Sequence, residues 1–482
     1  MNRPFDEQKY KRLLEGLEIS EVNYQSLEDD RRVDAEYYRP KFLRDDVQLK
    51  TFPQLEIEKI AFVSDGQHGY YETDENSTIR MLAAKNAIHW FADRIDAERL
   101  AKWVDDQNKR SSLCENDIIL STRGTVGYCA LVGNDVLPAN LNQDVARIML
   151  QTNEISPEFL LAYFRSSYGQ DWLLRNQSGM VQQGIPLKKL RTMFVPVLKM
   201  NFQLQVKQTI QLARKIFNNS IKAIKSANDL LLHELGLEDW QPPAQSTVRK
   251  NFSDFLATGR LDAEYYQPKY DALDIQLSKT RSLRLGDIAR IEKSIEPGSN
   301  EYQDEGLPFI RVADLSAEGL TPTDIFLDPK KYANALRPKK NTILLSKDGS
   351  VGIAYKVEED MEAVTSSAIL HLNVASKNVD HDYLTLVLNS IVVRMQAERD
   401  VGGSIIQHWK PSEISAVAIP ILPASIQSRI AQKIRESFAL RAQSQQLLTL
   451  VQHAVETAIE HGEAKGFDIL EGKTDYFHCA TG

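Results

Sequence analysis

Asp34-Ala35-Glu36-Tyr37-Tyr38-Arg39-Pro40-Lys41 returns 228 residues later as Asp262-Ala263-Glu264-Tyr265-Tyr266-Gln267-Pro268-Lys269, with seven of eight positions identical. A repeat of this period marks two copies of a whole domain, not a solenoid of small stacked units. The echo runs in both directions. Upstream, Asn23-Tyr24 matches Asn251-Phe252 and Arg32-Val33 matches Arg260-Leu261. Downstream, Leu120-Ser121-Thr122-Arg123-Gly124-Thr125-Val126-Gly127 answers to Leu345-Ser346-Lys347-Asp348-Gly349-Ser350-Val351-Gly352. Val195-Pro196-Val197 then answers to Ile419-Pro420-Ile421, and Gln203 to Gln427. The offset drifts only from 228 to 224, so few net insertions separate the copies. Between the anchors the sequences diverge, as expected of two modules that share a frame and present different surfaces.

With 482 residues the chain is long enough for two domains with full cores. Its 42% hydrophobic and 26% charged residues are ordinary for a globular protein. No stretch approaches the length of a transmembrane helix, and the first residues lack the apolar core of a signal peptide. Three cysteines without a CxxC pair suggest free thiols. A cytoplasmic location is expected. The net charge of −8 argues against a general electrostatic DNA clamp but not against a local basic face.

Each copy ends in a long helical pattern. After Pro196 no proline or glycine appears until Gly236, and Val206, Ile210, Ala213, Phe217, Ile221, Ile224, Ala227, Leu231 and Leu235 recur at steps of three or four. After Pro423 the period returns at Ile430, Ile434, Phe438, Ser444, Leu447, Val451, Val455 and Ile459, weakened between Arg441 and Ser444. The first would reach roughly 50 Å; helices that long with a narrow apolar seam usually pair as a coiled coil, here with the other copy's helix, the alternative being that each packs back on its own domain. Residues 6–16 look like the tail of a further helix, which suggests a circular order of helix tail, domain, helix, domain, helix. The globular segments read as mixed α/β (α+β), with a hairpin in each copy at Arg123-Gly124-Thr125 and Asp348-Gly349-Ser350. Helical stretches are expected near Pro157–Leu174 and Asp382–Glu398.

No catalytic signature is found. There is no HExxH, GxSxG, GxGxxG after a strand or GxxxxGK[ST], and no Asn-Pro-Pro-Tyr type tetrapeptide of the adenine methyltransferases. The Asp-Ala-Glu pairs sit among tyrosines and a proline at each domain entry, where local capping or pairing is the simpler role.

The order DAEYYxPK, then Leu307-Pro308-Phe309-Ile310-Arg311-Val312-Ala313-Asp314-Leu315, then SxxGxVG, then a long helix, resembles the specificity subunit of Type I restriction–modification enzymes. The first copy carries Thr78-Ile79-Arg80-Met81-Leu82 at the second of these motifs, with Arg80 set against Arg311. The resemblance implies two target recognition domains, each reading half of a split DNA target. It also implies two long helices forming an antiparallel coiled coil in a pseudo-twofold repeat, which sets the spacing of the domains. The expected partners are double-stranded DNA, two adenine-N6 methyltransferase subunits and restriction/translocase subunits. S-adenosylmethionine, ATP and Mg belong to those partners, and the chain itself is expected to hold no cofactor and to perform no chemistry.

On that reading the chain divides into a helix tail and linker (1–33), a first recognition domain (34–196), a spacer helix (197–240), a linker (241–261), a second recognition domain (262–420), a second spacer helix (421–465) and a tail (466–482). Base and phosphate contacts need Arg, Lys, Asn, Gln and hydroxyl side chains on exposed loops. The candidates are Arg80, Lys85, Asn86, Arg123, Gln182 and Gln183 in the first domain, and Arg311, Lys347, Ser350, Gln407 and His408 in the second. Two other functions fit less of the sequence: a coiled-coil scaffold for protein partners, and a self-contained DNA methyltransferase or nuclease.

Overall fold

The computed structural model describes residues 6–27, 32–179, 183–244, 247–401 and 407–472. The chain folds as two compact units, one formed by Met1–Phe217 with Ala442–Gly482 and the other by Asn218–Arg441. Both are mixed α/β.

The first unit is built on a four-stranded antiparallel sheet in the order Ala61–Asp65, Val145–Leu150, Ile118–Ser121, Cys129–Leu131. In the second unit the order is Ala289–Lys293, Ile369–Val374, Ile343–Ser346, Ala354–Lys356. Of the two inner strands in each sheet, Ile118–Ser121 and Ile343–Ser346 are buried throughout. Successive side chains point to opposite faces, so Ile118 and Leu120 join one core while Ile119 joins another. Ile343 and Leu345 are likewise separated from Leu344. Both faces are covered, which is why these strands read as unbroken apolar runs. A three-stranded sheet accompanies each: Glu98–Arg99, Arg80–Leu82, Ala139–Leu141 in the first unit, and Phe326–Leu327, Leu307–Ile310, Val364–Thr365 in the second.

The octapeptide is a folded anchor at each domain entry. Pro40 and Pro268 open the helices Pro40–Leu49 and Pro268–Leu277, where a missing N–H costs nothing. Tyr37 lies between two guanidiniums, those of Arg32 at 4.6 Å and Arg175 at 4.1 Å from the ring centre. Tyr265 lies likewise between Arg260 at 4.8 Å and Arg399 at 4.7 Å. Arg175 then pairs with Asp46 at 2.6 Å and Arg399 with Asp274 at 2.8 Å. Asp34 binds Arg32, and Asp262 binds Arg260 at 2.6 Å. The repeated aspartates are thus engaged in local ion pairs, while Glu264 accepts from Gln267 Nε2 at 3.0 Å.

The expected helices near 157–174 and 382–398 are each broken in two. Ser166 and Ser390 sit in extended conformation and cap the helices Ser167–Arg175 and Ile391–Asp400, accepting from Gly169 N and Val392 N. A serine that satisfies the next helix's free N–H groups ends the preceding one.

The long helices are Met200–Glu234 and Ala424–His461. In the first unit, Ser444 Oγ donates to Ala213 O at 2.8 Å and Lys199 N to Glu463 Oε1 at 2.8 Å, so the segments 200–217 and 442–461 lie antiparallel. In the second unit, Ser437 Oγ donates to Ser220 O at 2.8 Å. Ser220, Ser437 and Ser444 are buried while Ile221 is exposed, so the apolar stripe steps through serines that hydropathy does not register. Gln203 and Gln427 anchor the helix starts in the same way. Each accepts one backbone N–H (from Ser156 and Asp380) and donates to two carbonyls, all within 3.1 Å.

The two cores treat one matched position differently. Arg147 and His371 occupy the same register, opposite Ile119 and Leu344. His371 is buried, with Nε2 2.8 Å from Thr365 Oγ1. Burial pushes its imidazole down to about 4, against the opposing field of Glu292. An unfolded histidine titrates near 6.5. The unfolded chain therefore binds the extra proton first, so this residue's stability contribution is complete above pH 6.5. It is lost as the pH falls toward 4, a loss of about 3 kcal/mol. Denaturant titrations of wild type and His371→Gln from pH 7 to 4 should diverge in slope, the variant losing less on acidification; parallel curves would contradict this.

Candidate nucleic-acid interface

The SxxGxVG segment forms the same loop in both units, and one serine holds it. Ser121 Oγ donates to Thr125 O at 2.6 Å and accepts from Tyr128 N at 2.9 Å. Ser346 Oγ donates to Ser350 O at 2.6 Å and accepts from Ile353 N at 2.9 Å. The hairpin expected here is present but wider than a two-residue turn. Gly124 and Gly349, with φ of 72° and 71°, supply the left-handed residue.

The loop is fastened to the segment that leaves the domain. Arg123 bridges Gly184, and Asp348 bridges His408. Beside each bridge, Ile185 N donates to Thr122 O at 2.9 Å and Trp409 N to Lys347 O at 2.8 Å. The structure therefore brings Arg123 next to Gln183, and Lys347 and Ser350 next to Gln407 and His408. Gln182 lies outside the described residues. In the first unit a cleft of about 490 Å³ opens here, lined by Asp65, Thr122, Arg123, Gln143, Ser178 and Gly184, among others. Gln143 was not picked out by sequence reasoning. It becomes a lining residue only because the chain turns between Leu141 and Val145.

The matched loops carry opposite charge at one position. Arg123 is exposed and forms no ion pair among the described residues. Asp348 takes its place in the second unit, held by Lys347 Nζ and by His408 Nδ1 at 2.8 Å. Burial would raise the Asp348 carboxyl, but those two hydrogen bonds overcome it and hold the group below the usual carboxylate range. Lys347 is mostly covered; Ser350, Gln407 and His408 are exposed.

The remaining candidates sit on the three-stranded sheets, and here the sequence alignment needs correcting. Leu82 pairs with Leu141 as Ile310 pairs with Thr365. Ala83 N donates to Asn86 Oδ1 at 3.0 Å as Arg311 N donates to Asp314 Oδ2 at 2.8 Å. Arg311 thus corresponds to Ala83, and Arg80 to Pro308. The shared Arg misled because the register is set by the Asn86/Asp314 turn. Asn86 is 1% exposed, and its amide is committed to Ala83, Asp93 and Ile95. It shapes the loop and does not face outward, contrary to its place among the candidates.

Arg80 and Lys85 converge on one turn, donating to Ala97 O at 3.2 Å and Asp96 O at 2.9 Å. Arg311 is half-exposed, with Asp314 at 4.0 Å and Asp324 at 3.9 Å. Among the described residues no group of three or more His, Cys, Asp or Glu is placed to hold a metal ion, and no helix is long and apolar enough to cross a membrane.

Residues 278–449 match the family described as the Type I restriction modification DNA specificity domain. Over 113 residues the chain is 29% identical to the Type I restriction enzyme EcoBI specificity subunit of Escherichia coli, covering 23% of this chain and 24% of that protein. The match thus spans about a quarter of the curated relative's length. Similar solved structures include a Type-I restriction-modification system S subunit from M. genitalium, at 13% identity and a TM-score of 0.36 over 85% of this chain and 95% of that one. Another is the HsdS subunit from Thermoanaerobacter tengcongensis, at 17% identity and a TM-score of 0.28 over 85% and 97%. The resemblance to the Type I restriction–modification specificity subunit is borne out where the comparisons reach: residues 278–449 match that family's DNA specificity domain, and a 113-residue stretch is similar to a specificity subunit.

Proposed function

We propose that the chain is the non-catalytic specificity subunit of a Type I restriction–modification complex and reads a bipartite DNA target with one recognition domain per half-site. The observation that carries this is the serine-braced loop used twice with one side chain inverted in charge, Arg123 in one copy and Asp348 in the other. One frame with opposite side chains suits two different half-sites: arginine donates to guanine O6 and N7, while a carboxylate accepts from cytosine N4. The long helices act as an antiparallel coiled coil that fixes the half-site spacing and docks two adenine-N6 methyltransferase subunits, with restriction/translocase subunits completing the assembly. S-adenosylmethionine, ATP and Mg serve those partners.

The test is to co-express the chain with a Type I methyltransferase subunit and map adenine methylation in plasmid DNA. A split motif that disappears when the chain is omitted is expected. Stable association with the methyltransferase without DNA binding or methylation would refute the reading and favour a protein scaffold.

A further inference from the structure

The first unit contains an arrangement with no counterpart in the second. Arg80 and Arg99 stand directly opposite each other on the antiparallel strands Arg80–Leu82 and Glu98–Arg99. Opposed residues share one face of a sheet with Cβ atoms about 5 Å apart, and like charges there are destabilising. Arg94 adds a third positive charge close to the pair. Burial, then the fields of Arg99 and Arg94, hold the Arg80 guanidinium below its ordinary range.

Among the described residues none of these three groups forms an ion pair within 4.0 Å. Arg80 donates to Ala97 O and Arg99 to Ser77 O, both neutral carbonyls. Arg80 Nε is buried without a hydrogen-bond partner. Two of the nearby acids are engaged elsewhere. Glu98 accepts from Tyr71 OH at 2.5 Å, and Asp93 accepts from Asn86 Nδ2 and Ile95 N. At the corresponding cross-strand position the second unit pairs Pro308 with Phe326. The strand pairing therefore does not need the arginines, and their mutual repulsion has no structural return.

We propose that Arg80, Arg94 and Arg99 form a phosphate-binding site that grips the DNA backbone at the half-site read by the first domain. This rests on the proposed role in DNA recognition and deepens it. The charge density selects phosphate over a base edge. A guanine edge offers neutral acceptors, whereas a phosphodiester carries the full negative charge needed to offset clustered guanidiniums. The second domain positions its half-site without this site, so the two halves differ in salt sensitivity.

The test uses the full chain with its methyltransferase partner. Binding to fluorescent duplex is measured across a salt series for wild type and for Arg94→Gln/Arg99→Gln, two exposed positions. Each phosphate that is no longer neutralised lowers the slope of log K against log salt by about 0.9, so a drop of up to about 2 is expected. The methylated motif should stay the same, and the melting temperature of the variant should match or exceed wild type because repulsion is relieved. An unchanged slope overturns the proposal. So does an altered motif, which would make these base contacts, and so does a lower melting temperature, which would make them structural. The same slopes on random-sequence duplex decide the arginines even if wild type methylates no split motif, a result that would refute the specificity role itself.

Discussion

Removing one partner of the buried Arg147–Asp117 pair is expected to destabilise the first unit by about 3–5 kcal/mol. Arg147 Nε lies 2.7 Å from Asp117 Oδ2, and both side chains are almost wholly buried, at 6% and 3% exposure. Arg147 Nη1 also donates to Arg110 O at 3.2 Å, and Asp117 accepts Cys114 N at 2.7 Å. Burial pushes the Asp117 carboxyl above its usual range even with Arg147 and the Cys114 amide opposing it. The site therefore tolerates charge only while the pair is intact. Asp117→Leu strands a buried guanidinium, and Arg147→Met strands a carboxylate beside it. The double replacement removes both charges and should recover most of the loss. Urea denaturation of the four proteins measures this. Single variants within 1 kcal/mol of wild type, or a double variant as weak as the sum of the singles, would show that the pair does not hold the core.

The second large effect falls on binding. Arg123→Asp gives the first domain the charge found at Asp348, and affinity of the methyltransferase-bound chain for its DNA should fall by about ten- to a hundredfold, corresponding to ~1–3 kcal/mol. The loop itself should survive. Ser121 Oγ holds it through Thr125 O and Tyr128 N, and Ile185 N closes on Thr122 O, none of which involves the Arg123 side chain. If Arg123 reads a base, the methylated motif should lose definition in one half only. Unchanged affinity and an unchanged motif would remove Arg123 from the interface. This differs in kind from the Arg94/Arg99 test, where the motif stays and the salt dependence moves.

Much of the frame was legible because it is written twice. Identical anchors at nearly constant offset identified the domain repeat, and the structure repeats the same strand orders, the same serine-braced loop and the same Tyr–Arg stacks. The long helices were legible from their period, since Val206, Ile210 and Ala213 must share a face at 3.6 residues per turn. Ser220 and Ser437 escaped because a seam serine is recognisable only when the backbone facing it is known, whereas Ser444 fell on the period.

The site was less legible, and the reasons are spatial. Arg80 and Arg311 looked equivalent because both are arginines near a matching apolar run. Strand register and the Asn86/Asp314 turn place Ala83 opposite Arg311 instead. Arg94 and Arg99 carry no motif, and their meaning arises only when antiparallel pairing sets Arg99 against Arg80. Asn86 looked like a base reader by residue type, but a buried amide must satisfy its own donors and acceptor, and three local partners do so.

By itself the sequence determined that there are two similar domains, each followed by a long amphipathic helix, because repetition and periodicity are linear properties. Tertiary structure alone decided which charges lie together, which are neutralised and which remain open, because those depend on distances between residues far apart in the chain. The Arg123/Asp348 inversion drew on both, since alignment supplied the pair and the bridges to Gly184 and His408 showed that the two side chains occupy one place in a common loop.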